Sequence, residues 1–122
     1  MLFNAEIETL FSGFKVNNVA IPVSYLFYDG HESAYIVYGQ YDTTNSYSAD
    51  DDIAGVVAVY DFDIYSKGNY SGIADAVRSK LTKAGWTWQP NRDSQDFYDV
   101  DTGYYHKTFA FAKPKQIINE EV

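Results

Sequence analysis

Apolar residues recur at spacings of three and four along the first segment, where Phe3, Ile7, Leu10, Phe11 and Phe14 share one helical face and Glu6 and Glu8 fall elsewhere. That spacing predicts a short helix over 3–13, ending near Gly13, with a turn at Asn17-Asn18. The run 21–28 is rich in β-branched and aromatic residues and stops at Asp29-Gly30, which predicts a strand. Pro22 has no N–H for a ladder, so it belongs at the start of that strand or on a sheet edge. A second strand is predicted over 34–41. The polar stretch 42–52, closing on three aspartates, reads as a long loop.

The clearest pattern lies at 56–65. Val56, Ala58, Tyr60, Phe62 and Ile64 alternate with Val57, Val59, Asp61, Asp63 and Tyr65. Period-two alternation with acids on one side predicts a sheet covered on one face. The mixed second face suits partial cover by another chain. A helix follows over 70–84, with Ile73, Val77, Leu81 and Ala84 inward, and Gly85 closes it. Arg78, Lys80 and Lys83 suit the negative end of its dipole. Trp86-Thr87-Trp88 begins a short strand that is cut at 89–91, and 93–102 is a second acidic segment. The last strand, 104–112, carries Tyr105, Phe109 and Phe111 on one face and His106, Thr108 and Ala110 on the other. Lys113-Pro114 ends it, and 114–122 reads as a flexible tail. The expected fold is one α+β domain over 1–122. Its antiparallel or mixed sheet has four to five strands with two helices packed on one face, in the order α-β-β-β-α-β-β.

Composition narrows the function. Among 122 residues, 9 are basic and 17 acidic, for a net charge of −8, and 18% are aromatic. That aromatic load excludes a disordered acidic tail for most of the chain. No basic stripe is present, which disfavours sequence-specific nucleic-acid binding. The absence of cysteine removes disulfides, thiolate zinc sites and a Cys nucleophile. The first residues lack a basic and an apolar signal region, and no apolar run reaches bilayer length. Synthesis in a cytoplasm without export, and no membrane partner, are expected.

Candidate chemistry changes little. Ser33, His31 and Asp29 share a turn, but no nucleophile elbow surrounds the serine. His106 reads as an exposed or half-buried strand residue. Gly68 and Gly72 lack the Lys-Ser/Thr of a phosphate loop. Asp50-Asp51-Asp52 and Asp99-Val100-Asp101 miss the calcium-loop pattern. No catalytic, cofactor or metal residue is therefore expected, and the chain is expected not to be an enzyme. The charged loops and the mixed strand face point to protein contacts instead. The candidate contact residues are Tyr47, Asp50, Asp51, Asp52, Val57, Val59, Asp61, Asp63, Tyr65, Asp99 and Asp101. The alternative is a small-ligand or carbohydrate module using Tyr35, Tyr38, Tyr41 and Tyr47 on a tyrosine-rich sheet face.

Three stretches carry a resemblance. They are Ala34-Tyr35-Ile36-Val37-Tyr38 followed by a polar loop, Tyr60-Asp61-Phe62-Asp63-Ile64-Tyr65-Ser66-Lys67 running into Ile73-Ala74-Asp75-Ala76-Val77, and the closing Thr102-Gly103-Tyr104-Tyr105-His106-Lys107-Thr108-Phe109. In these the chain resembles the tail-terminator or tail-completion (head-tail joining) proteins of long-tailed bacteriophages, over about 2–112. The resemblance implies an α+β protomer that assembles with itself into a hexameric ring without catalysis. The ring would cap the tail tube protein and dock on the head-connector protein. It implies a place in the virion tail, after assembly in the host cytoplasm, with DNA passing through an acidic lumen.

Overall fold

The computed structural model describes residues 2–49 and 52–116. Helix α1 spans Asn4–Leu10, shorter than its apolar face suggests. The chain leaves the helix at Phe11, and Gly13 takes a φ of 69° that returns Phe14 to the core. Asn17 and Asn18 then both adopt positive φ, 53° and 65°. That is the two-residue turn matching strand twist, and it joins β1 (Lys15–Val16) to β2 (Val19–Ala20). The turn is legible in the sequence, but strands of two residues are too short to show alternation.

Strand β3 (Val23–Tyr25) runs parallel to β4 (Ala34–Ala49) at the edge of the main sheet, which makes that sheet mixed. The Ile36 N–H donates to the Pro22 carbonyl at 2.8 Å, so the proline stands at the start of an edge strand. Strand β4 forms a long hairpin with β5 (Asp52–Ser66), and β5 pairs on its other side with β8 (Tyr105–Gln116). Helix α2 (Ser71–Lys83), β6 (Thr87–Trp88), a single 3₁₀ turn (Pro90–Arg92) and β7 (Phe97–Tyr98) lie between β5 and β8. The order across the sheet is β3-β4-β5-β8-β6, with β7 also on β8.

Several expectations differ from the structure. The strand expected over 21–28 is paired only at Val23–Tyr25, because Leu26 leaves the extended region at a φ of 63°. Five strands precede α2 where three were expected, and three follow it where two were expected. The stretch 42–49, expected as loop, continues β4 opposite 52–59, with register shifts near Gln40 and Tyr47. Thr and Tyr suit an extended backbone, and pairing substitutes for the apolar alternation the stretch lacks. Likewise β8 runs to Gln116, with Pro114 opposite Val57. Among the described residues β8 has no partner on its other side beyond Ala112, so a missing N–H costs no ladder bond there. Residues 114–116 are therefore strand, and 117–122 lie outside the described residues.

The core lies between the two helices and one face of the sheet. Ala58, Tyr60, Phe62 and Ile64 of β5 are all fully buried, with Ile7 of α1 and Val77 and Leu81 of α2 in the same cluster. Phe62 meets Phe111 and Trp86 edge-on at 5.7 and 6.3 Å. The Tyr60 hydroxyl accepts from the Phe3 N–H at 2.9 Å and donates to Asn4 Oδ1 at 2.7 Å, which fixes the start of α1. Gly85, at a φ of 95°, ends α2. Lys113 then donates to the Ala84 carbonyl and to Glu6, both at 2.8 Å, and Trp86 Nε1 donates to the same carboxylate at 3.1 Å. One carboxylate of α1 thus ties the end of α2 to β8.

Candidate functional site

The outer face of the sheet follows from period two. Tyr35 lies opposite Tyr65, Tyr65 opposite His106, and β7 sets Phe97 opposite His106. Residues opposed across strands bring side chains within about 5 Å, so four rings meet in a row. Tyr28, from the connection 26–33, adds a fifth. Successive centroids from Tyr28 to Phe97 are 4.9, 4.6, 4.3 and 5.7 Å apart. Tyr65 and His106 are within 3° of parallel. Rings stacked this way use their faces on one another and present edges and polar tips outward.

Tyr104 stands across the row, at 81° to Tyr35 and 87° to Tyr65. Its hydroxyl donates to the Glu32 carbonyl at 2.5 Å, and the Lys67 ammonium lies 5.0 Å from its ring centre. The Tyr28 hydroxyl donates to the Glu32 carboxylate. That bond holds Glu32 below its ordinary range and pushes the Tyr28 phenol up to about 12. Burial raises the Tyr65 phenol, with the charge of Asp63 adding to it. Beside the row opens a cleft of about 820 Å³ whose walls include His31, Phe97, Tyr98, Val100 and Tyr104. His106 Nε2 is buried and has no hydrogen-bond partner.

Farther along the same face the character turns acidic. Thr108 Oγ1 donates to Asp63 at 2.6 Å. Asp61 is half-buried, and burial raises its carboxyl to about 6, with the charge of Asp63 adding and Arg92 opposing. Arg92, carried by the 3₁₀ turn, lies 5.5 Å from the ring centre of Tyr41. Beyond it Val59 packs with Ala110 and Ala112, and Val57 lies against them.

No protein-family model matches this chain, and no curated protein matches it.

The expected contact residues divide into three groups. Val57, Asp61, Asp63 and Tyr65 do share the outer face of β5, half-buried. Val59 belongs to the same face but is only 5% exposed, shielded within the chain by its own small cluster. It is therefore not a free contact residue. Asp99 and Asp101 form the turn between β7 and β8, where the Asp101 N–H donates to the Asp99 carboxylate at 2.9 Å and the Gly103 N–H to the Asp99 carbonyl at 2.7 Å. Both are exposed, and Asp99 also lines the cleft. Tyr47 stands opposite Gly55 and Asp52 opposite Ala49 in the distal hairpin, while Asp50 and Asp51 lie outside the described residues.

The tyrosines expected to form one sugar-binding surface do not share a face. Tyr38 is 4% exposed in the core, whereas Tyr35 belongs to the outer row. Sequence reasoning also missed His106, Phe97 and Tyr104 as parts of a site. Alternation placed His106 on the correct face, but its neighbours depend on a register spanning four strands. Among the described residues, no three His, Asp or Glu side chains converge as a metal cluster.

Proposed function

We propose that the protein is a phage tail assembly protein, forming a ring that caps the head-proximal end of the tail tube. The ring, a hexamer on this reading, ends tube growth, joins the tail to the head connector and lets DNA pass. The observation that carries the reading is how little of the outer edge of β4 its neighbour strand β3 covers. Strand β3 covers β4 only from Ile36 to Tyr38, whereas β4 runs on to Ala49 opposite β5. A long strand whose outer edge has so short a neighbour strand offers a template for another chain. A net charge of −8 supports the reading further, because like charge keeps DNA from sticking to a channel wall.

The test is light scattering across a concentration series, together with electron microscopy of the protein mixed with tail tubes. Rings on tube ends are expected. A strict monomer that leaves tubes bare contradicts the proposal.

A second reading, a small-ligand or carbohydrate module, draws support from the aromatic cleft and its unpartnered imidazole. The stacked rings weigh against a sugar, which needs an open ring face. Titration with a glycan panel, followed by shifts of the His106 and Tyr65 ring resonances, separates the two. Saturable shifts with the protein still monomeric favour the module.

A further inference from the structure

We propose that the cavity where the ends of α1 and α2 meet β1 binds a phosphate group carried on a small organic molecule, held by Lys15, Lys80 and Lys83 with the hydroxyls of Ser12 and Ser79. None of its lining belongs to the outer face of the sheet or to β4, so the site goes beyond the assembly reading and does not depend on it.

Local sequence brings the five together. Gly13, at a φ of 69°, turns the chain back after α1, so Ser12 and Lys15 stand on either side of the turn and β1 packs against α2. On α2, Ala76, Lys80 and Lys83 follow a spacing of four and three, which sets them on one stripe beside the buried Ile73, Val77 and Leu81. The resulting cavity holds about 750 Å³, within the roughly 300–1,000 Å³ usual for small-molecule sites. A bare ion needs far less, and Leu10 and Phe14 give the remaining space an apolar wall.

The engagement of the other cations singles these three out. The chain has nine basic residues. Arg78, Lys107 and Lys113 are ion-paired with Asp75, Asp96 and Glu6. Lys67, Arg92 and Lys115 lie over the rings of Tyr104, Tyr41 and Phe3. Among the described residues the side chains of Lys15, Lys80 and Lys83 have neither kind of partner, and no acid lines the cavity. With 17 acids on the chain, partners are not in short supply.

The helix ends do not account for them. The end of α2 carries about half a negative charge, which basic residues in a last turn ordinarily offset. Here the Leu81 carbonyl accepts from the Ala84 and Trp86 N–H groups, the Thr82 carbonyl from Gly85, and the Ala84 carbonyl from Lys113. Even with the end of α1 added, the helix ends supply about one negative charge against three ammonium groups. The balance of about +2 matches a phosphate monoester, which carries about −1.5 to −2 near neutral pH. Its three outer oxygens accept from ammonium and hydroxyl donors alike. A carboxylate, with one charge and two oxygens, leaves donors unused.

Inorganic phosphate and phenyl phosphate are the probes, titrated into isotope-labelled protein at constant ionic strength with chloride as the balancing anion. Saturable amide shifts are expected at 12–15 and 79–84, with phenyl phosphate the tighter because its ring meets Leu10 and Phe14. Lys15→Gln and Lys80→Gln should each weaken binding about tenfold, the loss of one charge-assisted hydrogen bond. Neither side chain has a partner to lose, so both variants should melt with the parent protein. Shifts that never saturate, or equal affinity in both variants, overturn the proposal. Acetate binding as tightly as phosphate overturns it too, since the site would then read charge alone. Duplex DNA shifting the same amides where both small phosphates fail would make the patch a nucleic-acid contact, and the proposal fails.

Light scattering of the same variants keeps this site distinct from the ring. Loss of self-association in the lysine variants would make the cavity an interface between copies and overturn the proposal. A protein that binds phosphate saturably yet stays a monomer and leaves tubes bare supports the site and contradicts the ring.

Discussion

The two faces of β5 are built from alternate residues of one strand and could hardly differ more. Inward, Ala58, Tyr60, Phe62 and Ile64 are fully buried against two helices, and every ring is enclosed. Outward, Val57, Asp61, Asp63 and Tyr65 remain half-buried, beside a cleft with an unpartnered imidazole. A closed face contributes stability through burial and packing. An open face that keeps aromatic rings and an acid raised by burial contributes less to folding and leaves surface for the contact proposed above. Alternation along one strand thus separates the face that folds the protein from the face left for the proposed contact.

The comparison breaks most visibly at Phe62. Phe62→Ala empties the centre of the inner cluster and is expected to cost about 3–5 kcal/mol, read as a lower denaturant midpoint or outright unfolding. Next comes Tyr60→Phe, which leaves the buried Phe3 N–H without its acceptor. It should cost about 1–3 kcal/mol in the same titration, with the start of α1 exchanging faster. On the outer face, Tyr65→Leu interrupts the row between Tyr35 and His106 and should cost only about 1 kcal/mol, with the core signature in near-ultraviolet dichroism retained.

The smallest effect has the opposite sign. Folding raises the Asp61 carboxyl from 3.8 to about 6, so the folded state disfavours its charge. That penalty is complete above about pH 6 and fades as pH falls toward 4, so this group makes the protein more stable as pH drops through that window. Asp61→Asn should therefore raise the melting temperature slightly at pH 7.5 and leave it unchanged near pH 4. A melting temperature lowered at pH 7.5 would show that the ionised Asp61 is held by partners rather than penalised.

Sequence reading recovered the inner face well, because period two in 56–65 and the stripe Ile73, Val77 and Leu81 record burial directly in residue type. The edge position of Pro22 and the closure of α2 at Gly85 were legible for the same reason, each being a local backbone demand. The extension of β4 through 42–49 was not legible, because that stretch is polar and its strand depends on pairing with β5. Strands β1, β2 and β7, at two residues each, show no period. The outer row was half legible. Alternation identified Tyr65 as outward-facing, but its stacking on Tyr35 and His106 depends on the pairing of three separate strands.

Hydrogen exchange, comparing dilute protein with protein bound to tail tubes, tests the separation of faces most directly. Slowed exchange in assembled protein is expected at 39–49 and at 97–105, with 58–64 equally protected in both states. Unchanged exchange at 39–49 and 97–105 in the bound state would contradict the account.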